Sequence, residues 1–174
     1  MIRTVGHGTL SESAFAELLR GCGIETVADV RRFPGSRHNP QFGSEAMEAW
    51  LAEHGIGYAW ISGLGGRRHG SPDSVNVALR NPQFRAYADH MASVEFARGV
   101  AELADLASSS ATAVMCSESV WWRCHRRLLA DHLVLVEGRA VQHLFHDGRL
   151  VPHPVTDGAR RLRGHVVYDG TSAR

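Results

Sequence analysis

The chain has 174 residues, of which 44% are hydrophobic and 21% charged, a balance typical of one soluble globular domain. All 19 basic residues are arginine, and with 18 acidic residues the formal charge is +1. Without lysine, the chain has no phosphate-binding lysine for a P-loop, which excludes that kind of site, and a Schiff base could form only on the N-terminal amine. Arginine remains as a planar, permanently charged donor that suits phosphates, carboxylates and base edges.

The sequence indicates no targeting or disulfide-rich class. No apolar run approaches the roughly 20 residues that a transmembrane helix needs, and the first residues lack a signal-peptide pattern. The three cysteines, Cys22, Cys116 and Cys124, are too few for a disulfide scaffold. These features predict a cytoplasmic protein without a membrane partner.

The first half of the chain alternates short apolar strands with amphipathic helices. A helix capped by Ser11-Glu12-Ser13 is predicted to end at Gly21-Cys22-Gly23, and a polar loop is predicted from Phe33 to Phe42. The pattern predicts three strands in this half, at Ile2–Gly6, Ile24–Val30 and Gly57–Ile61. A second helix is predicted at Ser44–His54, before the third strand.

The second half begins with a long glycine- and arginine-rich loop, from Gly63 to Arg80. Asn81 and Pro82 are typical of an N-cap and a first helical residue, whereas the similar Asn39-Pro40 runs into Gly43 and predicts a loop. The pattern predicts helices at Pro82–Met91, Val94–Leu106 and Cys124–Val136. Strands are predicted at Ala111–Cys116 and Val141–Phe145, and a turn at His146–Arg149.

Strands that alternate with helices predict crossover connections and a parallel sheet. We therefore expect an α/β fold: a single-domain, three-layer sandwich with a mainly parallel, Rossmann-like sheet flanked by helices. Residues 1–150 are expected to form the core, and the arginine- and histidine-rich tail 151–174 is expected to pack on or near it.

Polar and glycine-rich segments follow four of the predicted strands. Because ligands bind at the carboxyl ends of the strands in open parallel sheets, these segments should meet at one site. They are Gly6-His7-Gly8-Thr9, Asp29-Val30-Arg31-Arg32, Gly65-Gly66-Arg67-Arg68 and Cys116-Ser117-Glu118. This convergence is the strongest functional signal in the sequence.

Cys116 has two interpretations. Lying between a buried strand and a helix, it could be a thiolate nucleophile activated by loop amides and arginines, as in rhodanese-like enzymes. The spacing from Cys116 to Arg123 is, however, one residue too long for the loop of cysteine phosphatases. The alternative is a small buried apolar residue.

Cys116, Cys124 and His125 could also ligate zinc. Their spacing is not the usual C-x₂₋₄-C, and no second close pair follows, so the sequence predicts no metal and no cofactor. Without a metal, Cys124 and His125 are the first residues of the next helix, and Arg126 faces outward or toward the site.

Three other residues are candidates for acid–base chemistry. Glu118 is favoured, because a carboxylate at a strand end beside arginines and tryptophans could deprotonate a water. Asp29 is a second candidate, with ion pairing to Arg31 or Arg126 as its alternative. His7, between two glycines, could act as an acid or hydrogen-bond donor, or be a structural histidine.

The chain resembles the family called domain of unknown function 488. The resemblance spans nearly the whole chain and lies in Val5-Gly6-His7-Gly8-Thr9, Val27-Ala28-Asp29-Val30-Arg31-Arg32-Phe33-Pro34, Ser36-Arg37-His38-Asn39-Pro40-Gln41-Phe42, Leu64-Gly65-Gly66-Arg67-Arg68, Tyr87-Ala88-Asp89-His90-Met91, Cys116-Ser117-Glu118, Cys124-His125-Arg126-Arg127 and, more loosely, His153-Pro154-Val155-Thr156. It implies a compact α/β fold with a shared site near these segments, and it implies no particular reaction.

Three functions are compatible with these residues. The first is an enzyme on nucleic acid or nucleotides, most concretely a lysine-independent hydrolase of a base–sugar bond, similar to a DNA glycosylase. The second is a thiol or sulfur-transfer enzyme that uses Cys116, and the third is a non-catalytic nucleotide or nucleic-acid binding module.

The first function assigns roles to many side chains, and the expected partner is an anionic ligand, DNA or a nucleotide. Glu118 or Asp29 would activate the water. Stacking would come from Trp121, Trp122, Phe33 and Phe42, and base-edge contacts from Asn39 and Gln41. Phosphates would be held by Arg31, Arg32, Arg37, Arg67 and Arg68, with His125 and Arg126 beside them.

Overall fold

A computed structural model describes residues 1–35 and 39–171 of the chain. The strands within these residues are β1 (Ile2–Gly6), β2 (Thr26–Asp29), β3 (Gly57–Trp60), β4 (Thr112–Cys116), β5 (Val141–Leu144), β6 (Leu150–Pro152), β7 (Arg160–Leu162) and β8 (His165–Val167). The helices are α1 (Glu12–Gly21), α2 (Ser44–Glu53), α3 (Pro82–His90), α4 (Val94–Ser109) and α5 (Arg126–Leu135). Short 3₁₀ turns occupy Pro40–Phe42, Ser62–Leu64 and Trp121–Arg123.

The main sheet has six strands in the order β3-β2-β4-β1-β5-β6, parallel except for the antiparallel pair β5–β6. β4 is central, since its residue Ala113 pairs with Arg3 of β1 on one side and Val27 of β2 on the other. The parallel arrangement brings the carboxyl ends of β1, β2 and β4 to the same edge, as the alternation of elements predicts.

Successive strand residues point to opposite faces of the sheet, and each face is covered by its own helices. On one face Ala28 and Val114 pack in a cluster with α3, α4 and α5. On the other, Val27 and Met115 pack with α1 and α2. The fold is therefore the expected single-domain, three-layer α/β sandwich with a mainly parallel sheet. In the described part of the chain, no helix combines the length and apolarity needed to cross a membrane.

Two helix starts follow from local side-chain chemistry. The Ser11 hydroxyl accepts a hydrogen bond from the Ala14 amide, and Asn81 Oδ1 accepts from the amide of Gln83 at 2.9 Å. Pro82 occupies the first turn, where its missing N–H costs nothing. Both caps are confirmed, whereas Asn39 starts only the short 3₁₀ turn at Pro40–Phe42.

Strands after residue 145 were missing from the sequence prediction. β6 adds an antiparallel strand at the sheet edge, and β7 pairs with β8 in a separate two-stranded sheet. Each of the three has only three residues, which is too short for a clear alternation of apolar and polar positions.

A chain of buried hydrogen bonds, here called the C-terminal network, ties the last part of the chain to the core. Thr4 Oγ1 lies 2.7 Å from His143 Nδ1, and His143 Nε2 lies 2.9 Å from His153 Nδ1. His153 Nε2 contacts Asp131 Oδ1 at 2.9 Å, and the Tyr168 hydroxyl donates to Asp131 Oδ2 at 2.7 Å. Asp131 is fully buried, so these contacts replace the water that its carboxylate gives up.

Candidate functional site

The loops after β1, β2, β3 and β4 meet at the carboxyl end of the sheet. The amides of His7 and Gly8 donate to the carbonyls of Cys116 and Ser117, both at 3.0 Å, which joins the ends of β1 and β4. The loop after β3 approaches the end of β2 so closely that a Cβ on Gly65 would lie 2.7 Å from Arg32 backbone atoms. Glycine is therefore required there, and the approach brings Gly66 and Arg67 over the strand ends.

The loops after β2, β3 and β4 line a cavity of about 120 Å³, here called the strand-end cleft. A second cavity of about 200 Å³, the adjoining cavity, shares Gly66, Arg67, Cys116 and His125 with it. The strand-end cleft is lined by Arg31, Arg32, Phe33, Gly66, Arg67, Cys116, Ser117 and His125. The adjoining cavity is further lined by Gln83, Phe84, Tyr87, Glu118, Arg123 and Cys124.

Asp29 lies beneath the cleft and is committed to an ion pair. Its carboxylate is fully buried and accepts from Arg31 Nε at 2.8 Å, from the Arg31 amide at 3.0 Å and from the Tyr58 hydroxyl at 2.8 Å. Burial opposes the charge of Arg31, but the hydrogen bonds and charge of Asp29 outweigh it and raise the pKa of Arg31. The ion-pair alternative for Asp29 therefore holds in the structure, and the carboxylate positions Arg31 at the cleft.

His7 is a buried neutral histidine next to this pair. Its Nδ1 lies 2.8 Å from the Gly8 carbonyl, and Arg31 Nη1 lies 3.4 Å from Nε2. Burial, together with the positive charge of Arg31, lowers the pKa of His7 to about 4. The ring stacks on Phe42 with centroids 4.0 Å apart. Phe42 is fully buried by this contact, so it supports His7 and has no face left for a base.

Cys116, Cys124 and His125 form the densest group of reactive side chains and are here called the sulfur–imidazole cluster. His125 Nδ1 lies 3.6 Å from Cys124 Sγ and 3.9 Å from Cys116 Sγ. All three ligand-type atoms lie within 4.8 Å of one another. His125 Nε2 contacts the Val30 carbonyl at 3.1 Å, which fixes the ring.

The two thiols of this cluster are electrostatically unequal. Burial opposes ionisation of Cys124, but its hydrogen bond with Cys116 and the charge and N–H groups of Arg126 outweigh burial and lower its pKa to about 6. The hydrogen bond with Cys124, followed by burial, raises the pKa of Cys116 to about 12. Cys124 is therefore the thiol of the pair that ionises more readily.

Arg126 is a buried supporting residue of this region. It is only 1% exposed, its Nε donates to Cys124 Sγ at 3.4 Å, and its Nη2 donates to the Glu118 main-chain carbonyl. Of the two predicted orientations, outward or toward the site, the structure has the second, because Arg126 at the start of α5 points inward to Cys124 and the Glu118 carbonyl. The Glu118 side chain is exposed and lines the adjoining cavity.

The predicted phosphate-binding arginines divide into two groups. Arg32 and the exposed Arg67 line the strand-end cleft, and Arg32 Nη1 donates to the Arg67 carbonyl at 2.8 Å. Arg68 instead forms an ion pair with Glu95 at 3.0 Å and donates to the Gly65 carbonyl, so it braces the loop. Arg37 lies outside the described residues.

The remaining predicted contacts lie away from the cleft lining. Gln41 Nε2 donates to the Leu10 carbonyl at 3.4 Å, and the half-buried Asn39 precedes it in the same loop. Trp121 stacks on His143 with centroids 4.1 Å apart, which commits one of its faces to the C-terminal network. Trp122, packed edge-on against Trp121, is 45% exposed.

Sequence reasoning missed Tyr58, which anchors Asp29 from β3. It gave no role of its own to Ser117, which lines the cleft, and it weighed Cys124 only as a possible zinc ligand, although Cys124 joins Cys116 across eight positions. A signal for the last was present: Cys116 ends a strand and Cys124 precedes a helix. In a parallel sheet a short strand-to-helix loop returns the chain to the strand end.

Comparison with known proteins gives one match. Searches of the curated proteins and of the solved structures each found no significant similarity. The family model described as domain of unknown function DUF488 matches residues 11–133, which include Asp29, the Gly65–Arg68 segment and the whole sulfur–imidazole cluster. Because this match covers more than half of the chain and contains most of the cleft, the protein belongs to the DUF488 family.

Proposed function

We propose that the protein binds a nucleotide or nucleic-acid strand in the strand-end cleft and hydrolyses a base–sugar bond. The observation that carries the proposal is the pairing of an arginine-lined cleft with an exposed carboxylate. Arg31, Arg32 and Arg67 line the strand-end cleft, and Glu118 lines the cavity that adjoins it. Guanidinium groups suit phosphate, and a carboxylate near the bound sugar suits water activation.

Recognition would use the exposed groups at the rim. Phe33 lines the cleft and is 64% exposed beside Arg32, so it offers a ring face to a base that has left its stack. Trp122 is 45% exposed but lies outside the lining of both cavities, so Phe33 is the stacking residue of this proposal. Arg32 and Arg67 would hold the flanking phosphates. Arg31 is held in place by Asp29 and would add a fixed charge at the cleft floor.

In the chemical step, Glu118 would accept a proton from a water whose oxygen bonds to the anomeric carbon of the sugar. The bond from that carbon to the base nitrogen breaks, and its electron pair leaves with the base, which takes a proton from solvent. Asp29 would not share this role, because its carboxylate is buried against Arg31 and Tyr58.

A screen of the purified protein against DNA carrying modified or damaged bases, read out as released base, tests this proposal. Glu118→Gln should keep ligand binding and lower turnover by about 10²–10⁴-fold, the usual contribution of general-base catalysis. Glu17→Gln, an exposed glutamate on α1, is the matched control and should leave turnover unchanged. Equal turnover in Glu118→Gln would remove Glu118 from the mechanism, and binding without turnover by the wild type would leave a binding module.

A second candidate function, a thiol-dependent transfer enzyme, is favoured by one observation. Cys116, Ser117 and His125 lie in the same cleft lining as Arg31, Arg32 and Arg67. An anionic electrophile held by the arginines would then meet the sulfur atom. Cys116→Ser separates the two functions, because activity on nucleotide or DNA substrates that survives this substitution rules out Cys116 as the nucleophile.

A further inference from the structure

We infer that Cys116, Cys124 and His125 form a binding site for Zn²⁺ or a similar thiophilic divalent ion, with a fourth coordination position open to the strand-end cleft. The inference rests on the convergence of two sulfur atoms and one imidazole nitrogen at one buried point. Cys116 and Cys124 are 7% and 4% exposed, so their sulfur atoms face this point and little solvent.

The distances fit tetrahedral coordination. With Zn–S bonds of about 2.3 Å and Zn–N bonds of about 2.0–2.1 Å, the nitrogen and sulfur ligands of a tetrahedral zinc lie roughly 3.6 Å apart. In this protein His125 Nδ1 lies 3.6 Å and 3.9 Å from the two sulfur atoms. An ion at the centre would therefore need only small side-chain shifts.

The surroundings of the three ligands also match those of a metal site. His125 Nε2 lies 3.1 Å from the Val30 carbonyl, so this nitrogen carries the proton and Nδ1 presents its lone pair to the sulfur atoms. Arg126 Nε donates to Cys124 Sγ at 3.4 Å, which stabilises a thiolate. Metal-bound histidines commonly donate their second N–H to a backbone carbonyl in this way.

The fourth position is supplied by no side chain of residues 1–35 and 39–171, because the group of histidine, cysteine and carboxylate side chains there has only these three members. Cys116 and His125 line both cavities, and Gly66 faces the imidazole without a side chain of its own. Three protein ligands with an open position are the pattern of catalytic zinc sites, whereas structural sites are closed by four.

This site is independent of the proposed hydrolase activity, since it requires no substrate. It does exclude the second candidate function, because a metal-bound Cys116 is no longer a free nucleophile. Sequence spacing alone gave no reason to expect it, since the ligands come from a strand end and a helix start that only the fold brings together.

Metal binding to the full-length wild-type protein tests the inference without any assay of activity. Addition of Zn²⁺ should give one bound ion per chain and should protect Cys116 and Cys124, but not Cys22, from alkylation, as read by peptide mass spectrometry. Co²⁺ should give sulfur-to-metal charge-transfer bands and the intense visible bands of tetrahedral cobalt. A protein that binds neither ion, or that protects all three thiols equally, would overturn the inference.

Substitutions locate the site. Loss of a residue that only supports a metal ligand typically weakens metal binding by about 10- to 100-fold. Cys116→Ser, Cys124→Ser and His125→Gln each remove a ligand and should therefore weaken zinc binding by more than this. Cys22→Ser is the matched control, because Cys22 lies beyond α1 near the Gly148 carbonyl, and it should bind zinc as the wild type does. Wild-type affinity in the three ligand variants would refute the assignment, and the protection experiment decides the matter if a variant does not fold.

Discussion

The sulfur–imidazole cluster and the C-terminal network are both groups of buried polar side chains, and they differ in how completely their hydrogen bonds are satisfied. In the network, one set of tautomers pairs every atom: Thr4 donates to His143, His143 to His153 and His153 to Asp131. In the cluster, the sulfur atoms have only weak partners at 3.4–4.0 Å and adjoin a cavity.

The difference teaches how to distinguish a structural from a functional polar cluster. Burying polar groups is tolerated when they bond to one another, and such a network stabilises one arrangement of the chain. Thiol and imidazole groups that form only weak hydrogen bonds with one another and adjoin a cavity can still bind a further group, such as a metal ion. Both regions lie near the 3₁₀ turn Trp121–Arg123, whose Trp121 stacks on the network.

The largest expected effect is the loss of Asp131. Asp131→Ala would leave the donors of His153, Tyr168 and the Thr156 amide unpaired in the core, and should lower the free energy of unfolding by about 3–5 kcal/mol. Urea denaturation measures this. Asp105→Ala, on the exposed face of α4, is the control and should change it by less than about 0.5 kcal/mol. A loss for Asp131→Ala no larger than that of the control would show that the network is not structural.

The pH dependence of stability should be the next largest effect. Burial lowers the pKa of His143 to about 3 and of His7 to about 4, against an ordinary value of 6.5. Below pH 6.5 the unfolded chain takes up protons that the folded chain does not. The free energy of unfolding should therefore fall as the pH falls from 6.5 toward 4, by at most about 1.4 kcal/mol per pH unit for each histidine.

Substitutions show how much the C-terminal network and the strand-end cleft each contribute to this pH dependence of the unfolding free energy. His143→Gln should flatten it from the network side and His7→Gln from the cleft side, in urea denaturation between pH 7.5 and 5. His69→Gln, at an exposed histidine, should leave it unchanged. If neither His143→Gln nor His7→Gln flattens the pH dependence, these two histidines are not its source.

The smallest expected effect is a substitution at Gly66 that weakens zinc binding by the sulfur–imidazole cluster but leaves the stability of the fold nearly unchanged. A Cβ at Gly66 would lie 2.9 Å from His125 Nδ1, whereas one at Gly70 in the same loop would make an ordinary 3.7 Å contact with Ala86. Gly66→Ala should therefore displace the imidazole and weaken zinc binding about tenfold, with a change in unfolding free energy below about 1 kcal/mol. Gly70→Ala should match the wild type in both measurements, made by metal titration and urea denaturation. Wild-type zinc affinity in Gly66→Ala would contradict Nδ1 as a ligand atom.

The sequence predicted features of the fold that depend on neighbouring residues. The Ser11 and Asn81 caps, the parallel strands and the meeting of four loops at one sheet edge all follow from local pattern and the general rules of α/β topology. Features set by long-range contacts were open or missed. The hydrogen bond from Tyr58 to Asp29 was missed, because only the folded chain brings β3 beside β2.

The candidate site was predictable in its location and less so in its chemistry. Cys116 and the arginines were named from their strand ends, and Arg31, Arg32 and Arg67 do line the cleft. Phe42 and Trp121 were assigned to stacking on a ligand, but they stack on His7 and His143 of the protein itself. Such partners come from distant elements, so neither spacing nor residue type could indicate them.

The position of β1 has a consequence for how the protein folds. β1 lies between β4 and β5, with Arg3 paired to Ala113 and Ile2 to Val141, so the first strand pairs with two strands from the second half of the chain. Such contacts are separated by more than a hundred residues, and closing long loops slows folding. The span that matches the family model, residues 11–133, contains neither β1 nor β5. A chain trimmed to that span would keep the sulfur–imidazole cluster but would lose the partner of β4, which would become a new unpaired edge of a β3-β2-β4 remnant.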